Sequence, residues 1–250
     1  MTGVLKYKLK LGYDGTAYSG WQRQKGVLSI QEVVEGALST FLRHRVFCVA
    51  AGRTDAGVHA KGQVVHFQTP LTLSPSKTRY SLNALLPEDI RVFSLEPVTS
   101  DFHARYSALS KVYHYQVHLD AAMDPLQRFY RYQSMQRMDL ALLRQAIPHF
   151  VGTRDFFSFA NEGSKGSAAR GAVRTLYRLD LIEEPWGIRL EFEGNGFLYK
   201  MVRNITGTLL EVGRGKRSPD EMPALFQARD RKRIGIAAPS WGLCLMAIRY

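Results

Sequence analysis

The chain is poor in cysteine: 250 residues hold two, Cys48 and Cys244. Roughly two hundred residues apart in apolar settings, they offer neither a disulfide framework nor a clustered zinc site, and such usage fits a reducing cytoplasm. Long apolar runs are missing too. No stretch approaches the eighteen or so residues of a membrane span, and Met1 to Lys10 lacks the apolar core of a secretion signal. The expectation is a soluble cytoplasmic protein with no membrane partner. Acid is also scarce, with 22 acidic residues against 34 basic ones, a formal net charge of +12. What is plentiful is apolar mass: 45% of residues are hydrophobic, enough to bury a core in one large domain or two small ones and to exclude wholesale disorder.

The basic excess suits a polyanionic partner, and its 23 arginines against 11 lysines favour bidentate phosphate contact. Both halves are basic, so no single tail carries the charge. Leu5 to Tyr13 alternates like a half-buried strand, and Asp14-Gly15 marks a turn. A Gly- and aromatic-containing segment, Tyr18 to Gln24, follows. Ser29 to Glu32 offers a capping box before Val33, Val34, Ala37, Leu38, Phe41 and Leu42 at helical spacing. Val46–Ala51 and Gly62–Gln68 read as strands around a loop, Gly52–Ala60. Pro75 opens a helix that stops at Pro87, and Ile90–Leu95 is a further strand. In the second half, Tyr106–Leu119 alternates, Asp139–Phe150 is helical, and Val173–Ile182 pairs with Ile188–Gly194 as a hairpin. Asn195 is expected to cap a helix through Leu210, Ser218 to cap another reaching about Arg231, and Gly242–Tyr250 to close as a strand. The Gly- and Ser-rich stretch Asn161–Gly171 is expected to be mobile. The pattern predicts an α+β fold of two similar sheet-and-helix units with mostly antiparallel strands, divided as 1–105 and 106–250.

Gly52-Arg53-Thr54-Asp55-Ala56-Gly57-Val58-His59 is the most unusual segment, joining a carboxylate, a guanidinium and two glycines with small neighbours that leave Asp55 approachable. On composition alone such a stretch reads as an ordinary turn. GRTDAGVHA, however, resembles the signature loop of the tRNA pseudouridine synthases of the TruA type. Further segments resemble that family in its own order: LGYDGTAYSGWQRQ from Leu11, SIQE from Ser29, GQVVHF from Gly62, DFHAR from Asp101, KVYHY from Lys111 and MVRNI from Met201. Several motifs in sequence are more specific than one.

The resemblance implies the pseudouridine synthase fold around a central basic cleft, no cofactor, a likeness to homodimers, and tRNA as partner, with uridines 38–40 of the anticodon stem-loop as targets. It implies Asp55 as the catalytic aspartate, Arg203 as its cationic partner, Tyr113 as the aromatic that stacks on the uracil, and Arg53 as a residue holding the flipped nucleotide. Periodicity by itself cannot separate Tyr113 from Tyr115, which share strand parity, and His59 and His66 read as packing residues. No histidine and cysteine spacing suggests zinc. Two other classes compete with this reading: a non-catalytic tRNA-binding protein, which would not need Asp55, and an Asp-dependent hydrolase, which would need a second carboxylate or a metal cluster beside it.

Overall fold

In the computed structural model, which describes residues 4–161 and 171–250, the alternation of LKYKLKLGY becomes strand β1 (Leu5–Tyr13). Tyr7, Leu9, Leu11 and Tyr13 are buried on one face while Lys6, Lys8 and Lys10 occupy the other, as a period of two requires. Helix α1 (Ile30–Leu42) begins at the expected cap, where the Ser29 hydroxyl accepts the Glu32 N–H at 3.3 Å. Its buried stripe is Ile30, Val34, Leu38 and Leu42. Strands β2 (Val49–Ala50) and β3 (His59–Thr69), helix α2 (Pro75–Leu85) and strand β4 (Ile90–Val98) follow. Antiparallel pairing sets β1 between β4 and β3, with Leu9 opposite both Leu95 and Val65. The run Val46–Ala51 yields only two ladder residues, because Cys48 gives its N–H to the buried Glu35 carboxylate at 2.8 Å instead of to a strand.

The chain divides into two compact units, Met1–Leu109 with Cys244–Tyr250, and Ser110–Leu243. The second begins with β5 (Ser110–His118), β6 (Tyr132–Gln133), α3 (Leu140–Ala146), β7 (Gly152–Asp155), β8 (Val173–Glu184) and β9 (Gly187–Gly194), and continues with α4 (Met201–Gly213) and α5 (Met222–Ala228). Within it β5, β9, β8 and β7 lie side by side and antiparallel. The registers Tyr113–Phe192–Leu179 and Tyr115–Leu190–Leu181 stack one apolar face. The opposite face carries Glu191 and Asp180, paired with Arg178 and Arg189. Strand β10 (Leu243–Arg249), which the sequence pattern assigned to the second unit, pairs in parallel with β3 through Cys244–His59 and Leu245–Ala60 and so gathers with the first. A pairing across this much chain leaves no local trace in the sequence.

The fold is therefore α+β with mostly antiparallel strands. Two helices differ from their expected bounds. Asn195 starts no helix: its side chain accepts the Thr175 N–H and its own N–H bonds Thr175 O, both at 3.0 Å, which ties it to β8. The helix begins six residues later, after Lys200 in a left-handed conformation (φ 58°). The Ser218 capping box forms, but over a single 3-10 turn, Pro219–Glu221, and α5 ends at Arg229 (φ 46°). Residues 162–170, most of the stretch expected to be mobile, lie outside the described residues. No described helix is long and apolar enough to cross a membrane. Both cysteines are buried with their thiols pushed up by burial, Cys244 to about 11, so neither offers a thiolate.

His66, on β3 opposite Lys8 of β1, is covered by the segment after β4. Its Nδ1 accepts the Ala104 N–H at 3.0 Å, its ring centroid lies 4.8 Å from that of His103, and Lys6 Nζ donates to Ser100 O and Phe102 O nearby. Burial first, then His103 and Lys6, hold its pKa down to about 4. The unfolded chain, with its histidine near 6.5, takes up the proton earlier, so this stability is complete above about pH 6.5 and is lost as the pH falls toward 4. We predict that His66→Asn, which keeps an acceptor for Ala104, flattens the decline in melting temperature between pH 6.5 and 4. An unchanged slope would remove His66 from the acid sensitivity.

Candidate active site

Asp55 stands on the loop between β2 and β3, partly exposed, between exposed Arg53 and Ala56, while Thr54 and Val58 on either side point inward. Val58 N–H closes a turn onto Asp55 O at 3.1 Å, and Gly57 takes the positive φ (75°) that the turn needs. The outer strip of this loop is held by the segment after β1. Trp21 N–H donates to Thr54 O at 3.0 Å, and Gly57 N–H donates to Tyr18 O at 3.3 Å. Gly20 (φ 87°) makes that approach possible: a Cβ there would stand 2.6 Å from Thr54 O and 2.9 Å from Asp55 C. Gly15 does the same below Val58, where a Cβ would come within 2.1 Å of the carbonyl oxygen. Tyr18–Gln24, Gly- and aromatic-containing and part of the family-like segment from Leu11, is the cradle of the Asp55 loop. The signal was present in Gly20 and in Gly15 just before the segment, but nothing local told which backbone they admit.

His59, buried at the end of this loop, has Nδ1 at 3.1 Å from both Gly15 N and Asp14 Oδ1, and so packs the first turn against β3. His66 likewise serves the fold. Among the described residues no group of three or more His, Cys, Asp or Glu side chains is placed to hold a metal ion.

The second unit carries the other two candidates, Tyr113 on β5 and Arg203 on α4. Tyr113, on the apolar face of β5, keeps 7% of its surface exposed and meets the Phe197 ring edge-on at 5.2 Å. Tyr115, on the same face, is fully buried and spends its hydroxyl on Pro239 O at 2.9 Å, a hydrogen bond that commits it to the core. Burial pushes its hydroxyl well above the usual tyrosine value. Helix α4 is buried along almost its whole length, with only Arg203 and Glu211 partly exposed. Gly207, one turn beyond Arg203, lets the segment Ile236–Ala238 press on the helix, since a Cβ there would fall 2.0 Å from Ile236 O. Arg203 Nε donates to Ala238 O at 2.7 Å, and Ala238 N–H returns a bond to Arg203 O at 2.9 Å. Backbone contacts orient one edge of the guanidinium.

Asp55 is thus a partly exposed carboxylate on a braced loop of the first unit, and Arg203 a partly exposed arginine of the second unit whose Nε is held by a backbone carbonyl. The model of the tRNA pseudouridine synthase family matches residues 11–107 and 146–250. The chain belongs to that family. Curated relatives agree: tRNA pseudouridine synthase A 1 of Protochlamydia amoebophila is 51% identical over 98% of this chain and 96% of its own, and the enzymes named tRNA pseudouridine synthase A from Chlamydia muridarum and Bacillus subtilis are 45% and 42% identical over 98% of this chain and 92% and 99% of theirs. The chain is thus an isomerase of tRNA uridines. The family match covers Arg53, Asp55 and Arg203, whereas Tyr113 falls between its two stretches.

The cradle gives a test of its own. Gly20→Ala places a methyl group against the Thr54 carbonyl in a backbone conformation that alanine resists, and should cost more than about 1 kcal/mol of stability in denaturant titration. Gly26→Ala has a similar φ (81°) and open space around it, and should cost less. Equal midpoints for the two variants would deny the close contact at Gly20.

Proposed function

We propose that the chain converts uridine to pseudouridine at positions 38–40 of the tRNA anticodon stem-loop, in the cytoplasm, as a homodimer and without a cofactor. The observation that carries this reading is Asp55, approachable from solvent on a loop whose flanking backbone is tied down on both sides. The reaction breaks the N1–C1′ bond, turns the uracil and joins C5 to C1′, while the C5 proton leaves and N1 gains one. No atom or electron is lost overall. An ionised carboxylate can begin this by attack at C1′, by attack at C6, or as a base at the sugar.

In this reading Arg203 is the cationic partner of Asp55 and steadies it as charge moves during the reaction. The base must leave the stack to be reached, at a cost of a few kcal/mol, and Tyr113 offsets part of that by stacking, worth about 1–3 kcal/mol. Exposed Arg53 holds the everted nucleotide through its phosphate. The +12 net charge supports binding dominated by phosphate and RNA shape, as suits an enzyme serving adjacent uridines in different sequence contexts.

Incubation with unmodified tRNA should yield pseudouridine at these positions. Asp55→Asn and Asp55→Ala should form none while still binding tRNA. Product at the parental rate from either variant removes Asp55 from the mechanism. Tyr113→Leu should lower kcat/KM by about 5- to 150-fold, the equivalent of the lost stacking. Affinity for tRNA should fall about tenfold or more between 50 and 200 mM salt, and a salt-independent affinity would contradict a phosphate-dominated interface.

A further inference from the structure

Beneath the Asp55 loop lies a set of polar side chains that the reaction does not touch. Tyr13 ends β1 on the face already occupied by Tyr7, Leu9 and Leu11, and Gln63 sits opposite Leu11 on β3, among Val65 and Phe67. An apolar side chain would serve the core equally well at either position, since a buried amide or hydroxyl costs free energy unless it finds partners. Both find them in the loop. The Tyr13 hydroxyl shares a 2.8 Å hydrogen bond with Thr54 Oγ1 and accepts from Gln63 Nε2 at 3.3 Å. Gln63 Nε2 also donates to Gly52 O at 2.8 Å, and Gln63 Oε1 accepts the Val64 N–H at 3.2 Å. All three side chains are buried, Gln63 completely.

We propose that Tyr13 and Gln63 are positioning residues, which act through Thr54 and the Gly52 carbonyl to fix the backbone from which Asp55 projects. This rests on the reading of Asp55 as the catalytic carboxylate. The loop is then gripped from two sides: Trp21 N–H holds the Thr54 carbonyl from the cradle, and the Tyr13 hydroxyl holds the side chain of the same residue from the core. Thr54 adjoins Asp55, so a shift in either grip moves the carboxylate directly. Burial pushes the Tyr13 hydroxyl well above the ordinary tyrosine value, which keeps it neutral and able to donate throughout the working range. A displacement of about 1 Å at a reacting group can cost about a hundredfold in rate, so bonds of this kind matter more to turnover than to folding.

Tyr7 provides the internal comparison. It lies on the same strand face, equally buried, but its hydroxyl accepts the Leu73 N–H at 2.9 Å, away from the loop. Steady-state pseudouridine formation on unmodified tRNA is measured for Tyr13→Phe, Thr54→Val, Thr54→Ser, Gln63→Leu, Tyr7→Phe and Asp55→Asn, alongside their melting temperatures. The expected result is a kcat lowered about tenfold or more in Tyr13→Phe, Thr54→Val and Gln63→Leu with KM within about twofold of the parent, kcat restored to within about threefold in Thr54→Ser, and a parental kcat in Tyr7→Phe despite a similar loss of melting temperature. Parental kcat in both Tyr13→Phe and Thr54→Val, or an equal fall in Tyr7→Phe, overturns the proposal. An inactive Asp55→Asn beside a fully active Tyr13→Phe removes the positioning role alone, whereas an active Asp55→Asn removes the reading of the site and the positioning role with it.

Discussion

A loop that presents a carboxylate to a large substrate must keep its own peptide groups satisfied without covering the acid. Around Asp55 this is done by other backbone and by buried side chains: Trp21 N–H on Thr54 O, Gly57 N–H on Tyr18 O, Val58 N–H on Asp55 O, and Gln63 on Gly52 O. Polar groups left unpaired in such a position would cost about 1–3 kcal/mol each, so the arrangement fixes the loop as firmly as it satisfies it. Gly15 and Gly20 follow from the same demand, because only a residue without Cβ lets two backbones approach closely enough to share these bonds. The antiparallel pairing of β1 with β3 brings Tyr13 and Gln63 together beneath the loop.

The second unit solves a related problem by different means. On the polar face of the β5–β9–β8 sheet, Arg178 and Arg189 are oriented by carboxylates, reaching Asp180, Glu184 and Glu191. Arg203 stands on a buried helix instead, its Nε taken by Ala238 O, so the direction of its charge is set by packing. Gly207 gives the helix the flat side against which the Ile236 carbonyl of the same segment rests.

Much of this was legible in the chain. The alternation of β1, the Ser29 cap, the Asp55 loop between two strands and the mixed fold class all come from patterns confined to a few neighbouring residues, where local physics decides. What depended on distant partners was not legible. Asn195 has the composition of a helix cap, yet its side chain is claimed by Thr175 on an adjacent strand. Strand β10 pairs with β3, most of the chain away, and its alternation gives no hint of the partner. Tyr113 and Tyr115 are equivalent by parity, and what separates them is the complete burial of Tyr115 and its hydroxyl bond to Pro239 O. Gln63 looked like one polar residue in an apolar run; its purpose emerges only when Gly52 O lies within reach.

The central claim is that the Asp55 loop is held rigid before RNA arrives, and amide hydrogen exchange of the unliganded protein addresses it most directly. The Trp21 and Gly15 amides, which bond Thr54 O and His59 Nδ1, should exchange only through openings nearly as costly as global unfolding, while the Arg53 and Ala56 amides exchange faster. Exchange of the Trp21 amide as fast as that of Ala56 would mean that the loop opens freely, and would contradict the account.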